Sequence, residues 1–170
     1  MSTKHRKTLT VGLIRIDGHR LSEFIYGTVT GLVTIAGIND SHSSNWVNAA
    51  AIIIFGAVAI WIAHAYSILV SKRVIARISV REMTETLAGS WPIVIAGGVL
   101  ALPLLLVALG LISLSFGLQI SRLIGITILA LVGFLAGVIT REKLPLCLLL
   151  ALLSAGLGIA VVAIEFFFHH

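Results

Sequence analysis

Five long stretches of this chain contain no lysine or arginine, and the basic residues between them gather at alternate connections. The charge-free runs are Leu21–Ile38, Trp46–Val70, Trp91–Leu114, Leu123–Thr140 and Leu144–Phe168. Each holds about 18 residues or more, enough at 1.5 Å per residue to cross most or all of a hydrocarbon core about 30 Å thick. The N-terminal arm carries Lys4, Arg6, Lys7, Arg15 and Arg20; the second connection carries Lys72, Arg73, Arg77 and Arg81; the fourth carries Arg141 and Lys143. The first connection, INDSHSSNW, has no basic residue and the third has Arg122 alone, so eleven of twelve fall on one side. Cytoplasmic segments are the ones enriched in Lys and Arg. The pattern therefore predicts an all-α integral membrane bundle of five transmembrane helices, N-terminus cytoplasmic and C-terminus outside. The chain reads as a single transmembrane domain, residues 1–170, multi-pass in a plasma (inner) membrane. Its spans are about 21–38, 46–70, 91–114, 123–140 and 144–168, with a cytoplasmic amphipathic connection over 71–90.

Composition excludes the soluble classes. The chain is 58% hydrophobic and 11% charged, with a mean hydropathy of +1.09, outside the range of a soluble domain. The formal charge of +5 raises nucleic acid as a partner, but the basic residues sit at span ends, where anionic lipid headgroups attract them. No aromatic-interleaved basic patch or zinc-finger spacing accompanies them, so the expected partner is the lipid bilayer and not nucleic acid. Cys147 is the single cysteine, which excludes an intramolecular disulfide and a cysteine metal cage; it reads as a small packing residue. The basic arm, apolar run and small residues around Thr34–Gly37 have the outline of a signal peptide. The run is long for such a core, about 7–15 residues as a rule, and the expectation is a retained anchor.

The first span is the least apolar. Glu23, Gly27, Thr30, Gly31 and Thr34 recur at helical spacing and share a face. Gly27 and Gly31 form a GxxxG pair that admits a close helix neighbour. This span is expected inside the bundle, packed on the second through Gly27, Gly31, Gly56 and His64. In the second span, Gly56, Ile60, His64, Ser67 and Ser71 form one stripe. His64 and Tyr26 each lie roughly 7–9 Å inside the cytoplasmic boundary at 1.5 Å per residue, with Glu23 one turn nearer the surface. A hydrogen-bonded cluster of Glu23, Tyr26 and His64 is geometrically allowed. The connection after the second span reads as a helix continuing from it, with Arg81 and Glu85 at pairing distance and Trp91-Pro92 opening the third span. Pro103 is expected to kink that span. Gly133 and Gly137 in the fourth, and Ala151, Ser154, Ala155 and Gly158 in the fifth, are small-residue faces with surface to pair, from which a homodimer is expected. Glu165 is expected to reach the outer headgroups.

Ionisable groups within a bilayer are costly and tend to be functional, which makes His64 the leading site candidate and Glu23 its partner as metal ligands. The alternative is a neutral imidazole acting as interhelical glue, with Glu23 a boundary residue or a partner of Arg20 or Arg73. In the outer loop Asn39, Asp40 and His42 offer ligand atoms, yet the same residues make an ordinary polar turn. Asp40, His42 and Ser43 have the types for hydrolysis, but sequence neighbours do not make a triad. No GxSxG, HExxH, P-loop or dinucleotide fingerprint occurs, and no enzyme is expected. No cofactor is expected either; a divalent metal ion would be substrate.

The first span reads YGTVTGLVTIAG after RLSEF. This resembles the first helix of the vacuolar iron transporter family, whose members carry an aromatic-Gly-x-x-Asp-Gly-Leu-Val-[Ser/Thr] run there. The five-helix layout and the cytoplasmic extension of the second helix are similar too. Thr30 stands where the family has its Asp, and the Glu-rich region between helices 2 and 3 is reduced to a short helix with Glu82 and Glu85. The resemblance thus implies the family fold without its iron chemistry. The function expected is a small cation transporter or channel-like protein, lined by Glu23, Tyr26, Thr30 and His64. The alternative is a non-transporting structural or partner-binding membrane protein.

Single cysteines introduced at Ser2, Ser43 and Ser79 test the topology. Reagents confined to the cytoplasmic face should label the first and third, and Ser43→Cys should label only from outside. Labelling of Ser43→Cys from the cytoplasmic face alone would overturn the assignment.

Overall fold

The computed structural model describes residues 8–11, 14–38, 45–75 and 79–168, with side chains described within 18–38, 45–73 and 79–164 and at 167. The bundle is helical throughout. Its elements are α1 (Gly18–Ala36), α2 (Trp46–Ile75), α3 (Val80–Gly89), α4 (Pro92–Ala101), α5 (Pro103–Ala108), α6 (Leu114–Ile139) and α7 (Leu144–Phe168). Ahead of them stands a small antiparallel hairpin, β1 (Thr8–Val11) with β2 (Ile14–Asp17), registered Thr8 to Asp17 and Val11 to Ile14. The sequence reading treated this stretch as a charged arm and the chain as all-α. The β-branched residues of TLTV and IRID favour extended backbone, and that propensity decides the segment.

Four helical stretches are long and apolar enough to cross a membrane: Trp46–Arg73, Val80–Ala108, Leu114–Ile139 and Leu144–Ile164. The protein is thus a multi-pass membrane bundle. α1, at 19 residues, has the length, but Arg20, Glu23 and its threonines make it too polar to count with them. α2 has 30 residues, about 45 Å at 1.5 Å per residue, and so projects beyond a hydrocarbon core at its Lys72–Arg73 end.

α3 does not continue α2. Ser79 is extended (φ −81°, ψ 158°) and caps a new helix through a reciprocal box: its hydroxyl accepts from the Glu82 N–H at 3.3 Å, while the Glu82 carboxylate accepts from the Ser79 N–H at 2.9 Å. Such boxes satisfy two of the four free N–H groups at a helix start. The expected Arg81–Glu85 pair forms at 3.0 Å on the exposed face. α3 folds back along α2, tied by Lys72 Nζ donating to Thr86 Oγ1 (2.9 Å) and by the Trp61 indole N–H donating to the Leu87 carbonyl (3.1 Å). Pro92 then opens α4. At Pro103, which has no N–H to give, the third span breaks into α4 and α5 as expected.

The fourth span starts earlier than its charges imply. Gly110 takes a left-handed φ of +71°, a conformation that glycine adopts at low cost, and ends the turn after α5. Ser113 then caps α6, its hydroxyl accepting from the Phe116 N–H. Arg122 therefore lies inside α6, and not in the connection where it marked the start of a span at Leu123.

α1 occupies the middle of the bundle, against α2, α4, α6 and α7. Its glycine face meets α4 and not α2: Gly27 points at the α4 backbone and Gly31 at the side chain of Leu100. A Cβ on Gly27 would lie 2.7 Å from the Ile93 Cα, and one on Gly31 would lie 2.6 Å from the Leu100 Cδ1. α2 approaches α1 at Gly56, whose added Cβ would meet Thr34 Cγ2 at 3.2 Å, and approaches α4 where Gly97 sits on Ala57. α6 and α7 pair through Gly133 against Ser154 and Leu150, and Gly137 against Cys147. At these positions the small-residue faces of the fourth and fifth spans, from which a homodimer was expected, meet each other within one chain. Cys147 is buried and free. One stripe of α1 stays open: Ser22, Tyr26, Val33 and Gly37 are exposed. Ile35, Ile38, Ala49, Ile53, Leu100, Leu104 and Leu118 form an apolar core. They come from the end of α1 and just past it, the start of α2, the end of α4, the start of α5 and the start of α6, so this core fills the end of the bundle away from the Lys72–Arg73 end.

The α1–α4 contact is testable by size. Gly27→Ala meets backbone that cannot rotate away and should cost about 1–3 kcal/mol, the range for overpacking. Gly31→Ala meets the tip of a flexible Leu100 and should cost less. Gly98, with open space around it, should tolerate Ala or gain up to about 1 kcal/mol of helix propensity. Thermal unfolding in detergent ranks them; equal melting temperatures for Gly27→Ala and Gly98→Ala would refute the packing.

Candidate functional site

Glu23 sits in the second turn of α1 and His64 two thirds of the way along α2, and the antiparallel course of these helices brings them level. His64 Nε2 lies 3.1 Å from Glu23 Oε1 and 2.9 Å from Oε2. The carboxylate is 4% exposed, whereas the imidazole keeps 25% of its side-chain surface open. A carboxylate oxygen facing an imidazole nitrogen at this distance requires a proton between them. The two groups share one, carried on Nε2 when Glu23 is ionised and His64 donates. Pairing is what makes both tolerable here, because a buried charge without a partner costs several kcal/mol.

Tyr26 completes the cluster by stacking. Its ring centroid is 5.0 Å from that of His64, with 33° between the planes, within the range of aromatic contacts. Tyr26 lies on the exposed stripe, one helical position off the buried face that holds Glu23 and Gly27. The cluster that helix geometry allows is present, with a carboxylate–imidazole bond at its centre, and Tyr26 joins it by ring contact and not by a hydrogen bond.

The other residues of the expected pathway take different roles. Thr30 donates its hydroxyl to the Tyr26 carbonyl at 2.8 Å, Thr34 donates to the Thr30 carbonyl at 2.9 Å, and Ser67 donates to the His64 carbonyl at 2.8 Å. Each hydroxyl hydrogen is used on its own helix, the usual solution for Ser and Thr in an apolar setting. They retain oxygen lone pairs but offer no free donor. Gly27, Gly31 and Gly56 set helix spacing, as the close contacts above require.

Some polar groups of interest were missed by the sequence reading. Ser90 is 1% exposed, and its hydroxyl has no partner among the described residues. α1 and α4 run parallel, with Gly27 at Ile93, so one turn earlier Ser90 falls at the level of Glu23. Nothing in the local sequence AGSWP marks that serine as buried. Arg122, half-buried within α6, lies about 13 Å along the axis from Ser113 at 1.5 Å per residue. Its neighbour Ser121 is buried and donates to the Gly117 carbonyl at 3.0 Å. The signal for Arg122 was available: Gly110 and Ser113 are turn and cap residues that precede it.

Among the described residues, no three His, Cys, Asp or Glu side chains come together as a metal-holding group. Glu23 and His64 supply two ligands of such a set. Asn39, Asp40, His42 and Ser43 lie outside the described residues, as does the side chain of Glu165. No protein-family model matches this chain, and no curated protein or solved structure matches it either.

The pair should behave as one unit energetically. Glu23→Gln and His64→Ala should each lower stability in detergent, and the double variant should lose less than their sum by about 0.5–3 kcal/mol, the usual coupling of residues in contact. Strict additivity in this double-mutant cycle would show that the two side chains do not interact in the folded protein.

Proposed function

We propose that this chain is a small membrane transporter or channel-like protein that takes a cation at the Glu23–His64 pair. One observation carries the reading: a buried carboxylate faces an imidazole from a second helix inside a lipid-embedded bundle. Such groups are expensive in a membrane and mark ion and proton paths. The resemblance of YGTVTGLVT to the first helix of the vacuolar iron transporter family supports the same class. In this reading α1 is the fifth span, the N-terminus is cytoplasmic and the C-terminus outside, and the protein resides in a plasma (inner) membrane. The polar face of α1 supports its inclusion, since central packing against four other helices makes a less apolar span tolerable.

The chemistry follows from the shared proton. A proton is the simplest cation the pair can hold, and it already has a place between Nε2 and the carboxylate. A divalent metal ion, as substrate, would take the Glu23 oxygens and the Nε2 lone pair, both suited to borderline metals. It would bind Nε2 only with that nitrogen bare, the ring proton then standing on Nδ1, so a proton and a metal exclude each other at this one atom. Access is from the Lys72–Arg73 end, where the His64 side chain remains partly open.

A second reading has its own support. The hydroxyl-bearing stripe of α1 (Ser22, Tyr26 and the edge at Thr30) is exposed, and it suits a protein neighbour better than lipid tails. A structural or partner-binding role, with a second copy on this stripe forming a homodimer, accounts for it without any transport. The mass of the protein in detergent micelles separates monomer from dimer.

Flux into proteoliposomes decides between the two readings. Proton and divalent-metal entry should exceed that of empty liposomes and fall at least about tenfold in His64→Ala and Glu23→Gln, the scale of losing one bidentate or charge-assisted contact. Equal flux in all three proteins, or none above empty liposomes across several cations, would rule out transport and leave the structural role.

A further inference from the structure

A groove of about 560 Å³ opens between α1, α2, α3 and α4 near the Lys72–Arg73 end, lined by Arg20, Trp61, Leu87, Ala88, Trp91 and Ile95 among others. Its walls are almost wholly apolar, yet one charge stands among them. The Arg20 guanidinium is exposed and has no hydrogen-bond or ion-pair partner among the described residues. Trp61 and Trp91 meet edge to face, ring centroids 5.7 Å apart and planes at 90°. Trp61 is fixed there because its N–H is spent on the Leu87 carbonyl, while the Trp91 N–H finds no acceptor among the described residues. The groove is also directional. Arg20 lies in the first turn of α1, whereas Ile95 lies a full turn into the membrane beyond Trp91.

We infer that this groove is a binding site for an anionic phospholipid, one acyl chain lying along Trp61, Trp91 and Ile95 and the phosphodiester meeting Arg20. Charge complementarity selects the headgroup. An unpartnered guanidinium at the mouth of an apolar slot attracts a phosphate oxygen, which it can bind through a pair of parallel N–H bonds. Depth selects the lipid over a soluble phosphate: Trp91 opens the third span at the membrane boundary, the level at which tryptophans sit, and Trp61 and Ile95 carry the slot from there into the apolar interior. The volume falls within the ~300–1,000 Å³ of small-ligand clefts, room for one chain and part of a headgroup. Ala88 keeps the slot open, since a larger side chain on that face of α3 would enter it. Bound lipid would bridge α1 to the α3–α4 break. This site is independent of the Glu23–His64 pair and of any transport.

Quenching of tryptophan fluorescence by lipids with brominated acyl chains tests the site, using the full chain in detergent with Trp46→Phe so that Trp61 and Trp91 report. Brominated phosphatidylglycerol should quench saturably, with an apparent affinity about tenfold tighter than brominated phosphatidylcholine, the scale of one charge-assisted contact. Arg20→Gln, a change at an exposed position, should make the two lipids equal. Ala88→Leu should abolish the saturable component for both. Should that variant fail to fold, the Arg20→Gln comparison decides alone. Identical, non-saturating quenching by both lipids in the parent would overturn the proposal, as would an undiminished preference in Arg20→Gln. Displacement of the lipid by glycerophosphoglycerol, a headgroup without chains, at comparable concentration would overturn it too, showing a phosphate site and no lipid groove.

Discussion

The bundle depends on how closely α1 and α4 approach. Inside a bilayer the hydrophobic effect does not drive helices together, because lipid tails are as apolar as leucine; close van der Waals contact does. At Gly27 the backbone of α1 sits on the backbone of α4 at Ile93, with no room for a methyl group. Gly97 lets α4 approach α2 at Ala57 in the same way, and Gly56 lets α2 approach α1 at Thr34. Three mutual contacts without bulky side chains close a triangle of α1, α2 and α4. Their register is then fixed, and it brings Glu23 level with His64.

Two halves of the triangle differ in character. Toward the end of α1 Leu32 and Ile35 are buried, as is Ile38 just past it, and Ile35 and Ile38 join the apolar core with Ala49, Leu100 and Leu104. Toward its start the buried face carries Glu23 instead. An uncompensated carboxylate there would cost several kcal/mol, so the geometry that presents His64 is also what permits Glu23 to be buried. Packing and polarity are therefore coupled. A change that separates α1 from α2 at Gly56 removes the partner of Glu23 as well as the contact.

How much of this was legible follows from what sequence encodes locally. Charge-free runs located α2 and α7 within a few residues, because lipid demands long apolar segments and the Lys and Arg at their ends mark where lipid stops. The Glu23–Tyr26–His64 cluster was legible from depth alone: three residues at similar distance from one boundary, on facing helices. The partner of Gly27 was not. A GxxxG pair says that some backbone comes close, and only tertiary arrangement says whose. Gly133 and Gly137 failed in the same way, since a small-residue face looks identical whether it meets a neighbour in the chain or a second copy. The hairpin at Thr8–Asp17 was obscured by its charges, which drew the reading toward lipid headgroups and away from the β-branched alternation beneath them.

Arg122 shows how one boundary rule misleads and then helps. Counting spans as stretches free of Lys and Arg forced a helix to begin at Leu123, although Gly110 and Ser113 offer a turn and a cap well before it. The helix starts at the cap, because an N-cap satisfies free N–H groups and a half-buried arginine on a helix can carry its charge toward the interface on a long apolar stem. With Arg122 inside α6, the third connection, residues 109–113, holds no charged residue at all. The contrast on which the orientation rests is then sharper than a count of eleven against one. Among the described residues, Arg20, Lys72, Arg73, Arg81, Arg141 and Lys143 stand at one end of the bundle, and the connection between α5 and α6 at the other end has none. That is the asymmetry the positive-inside rule reads, and the proposed entrance to the Glu23–His64 pair rests on it.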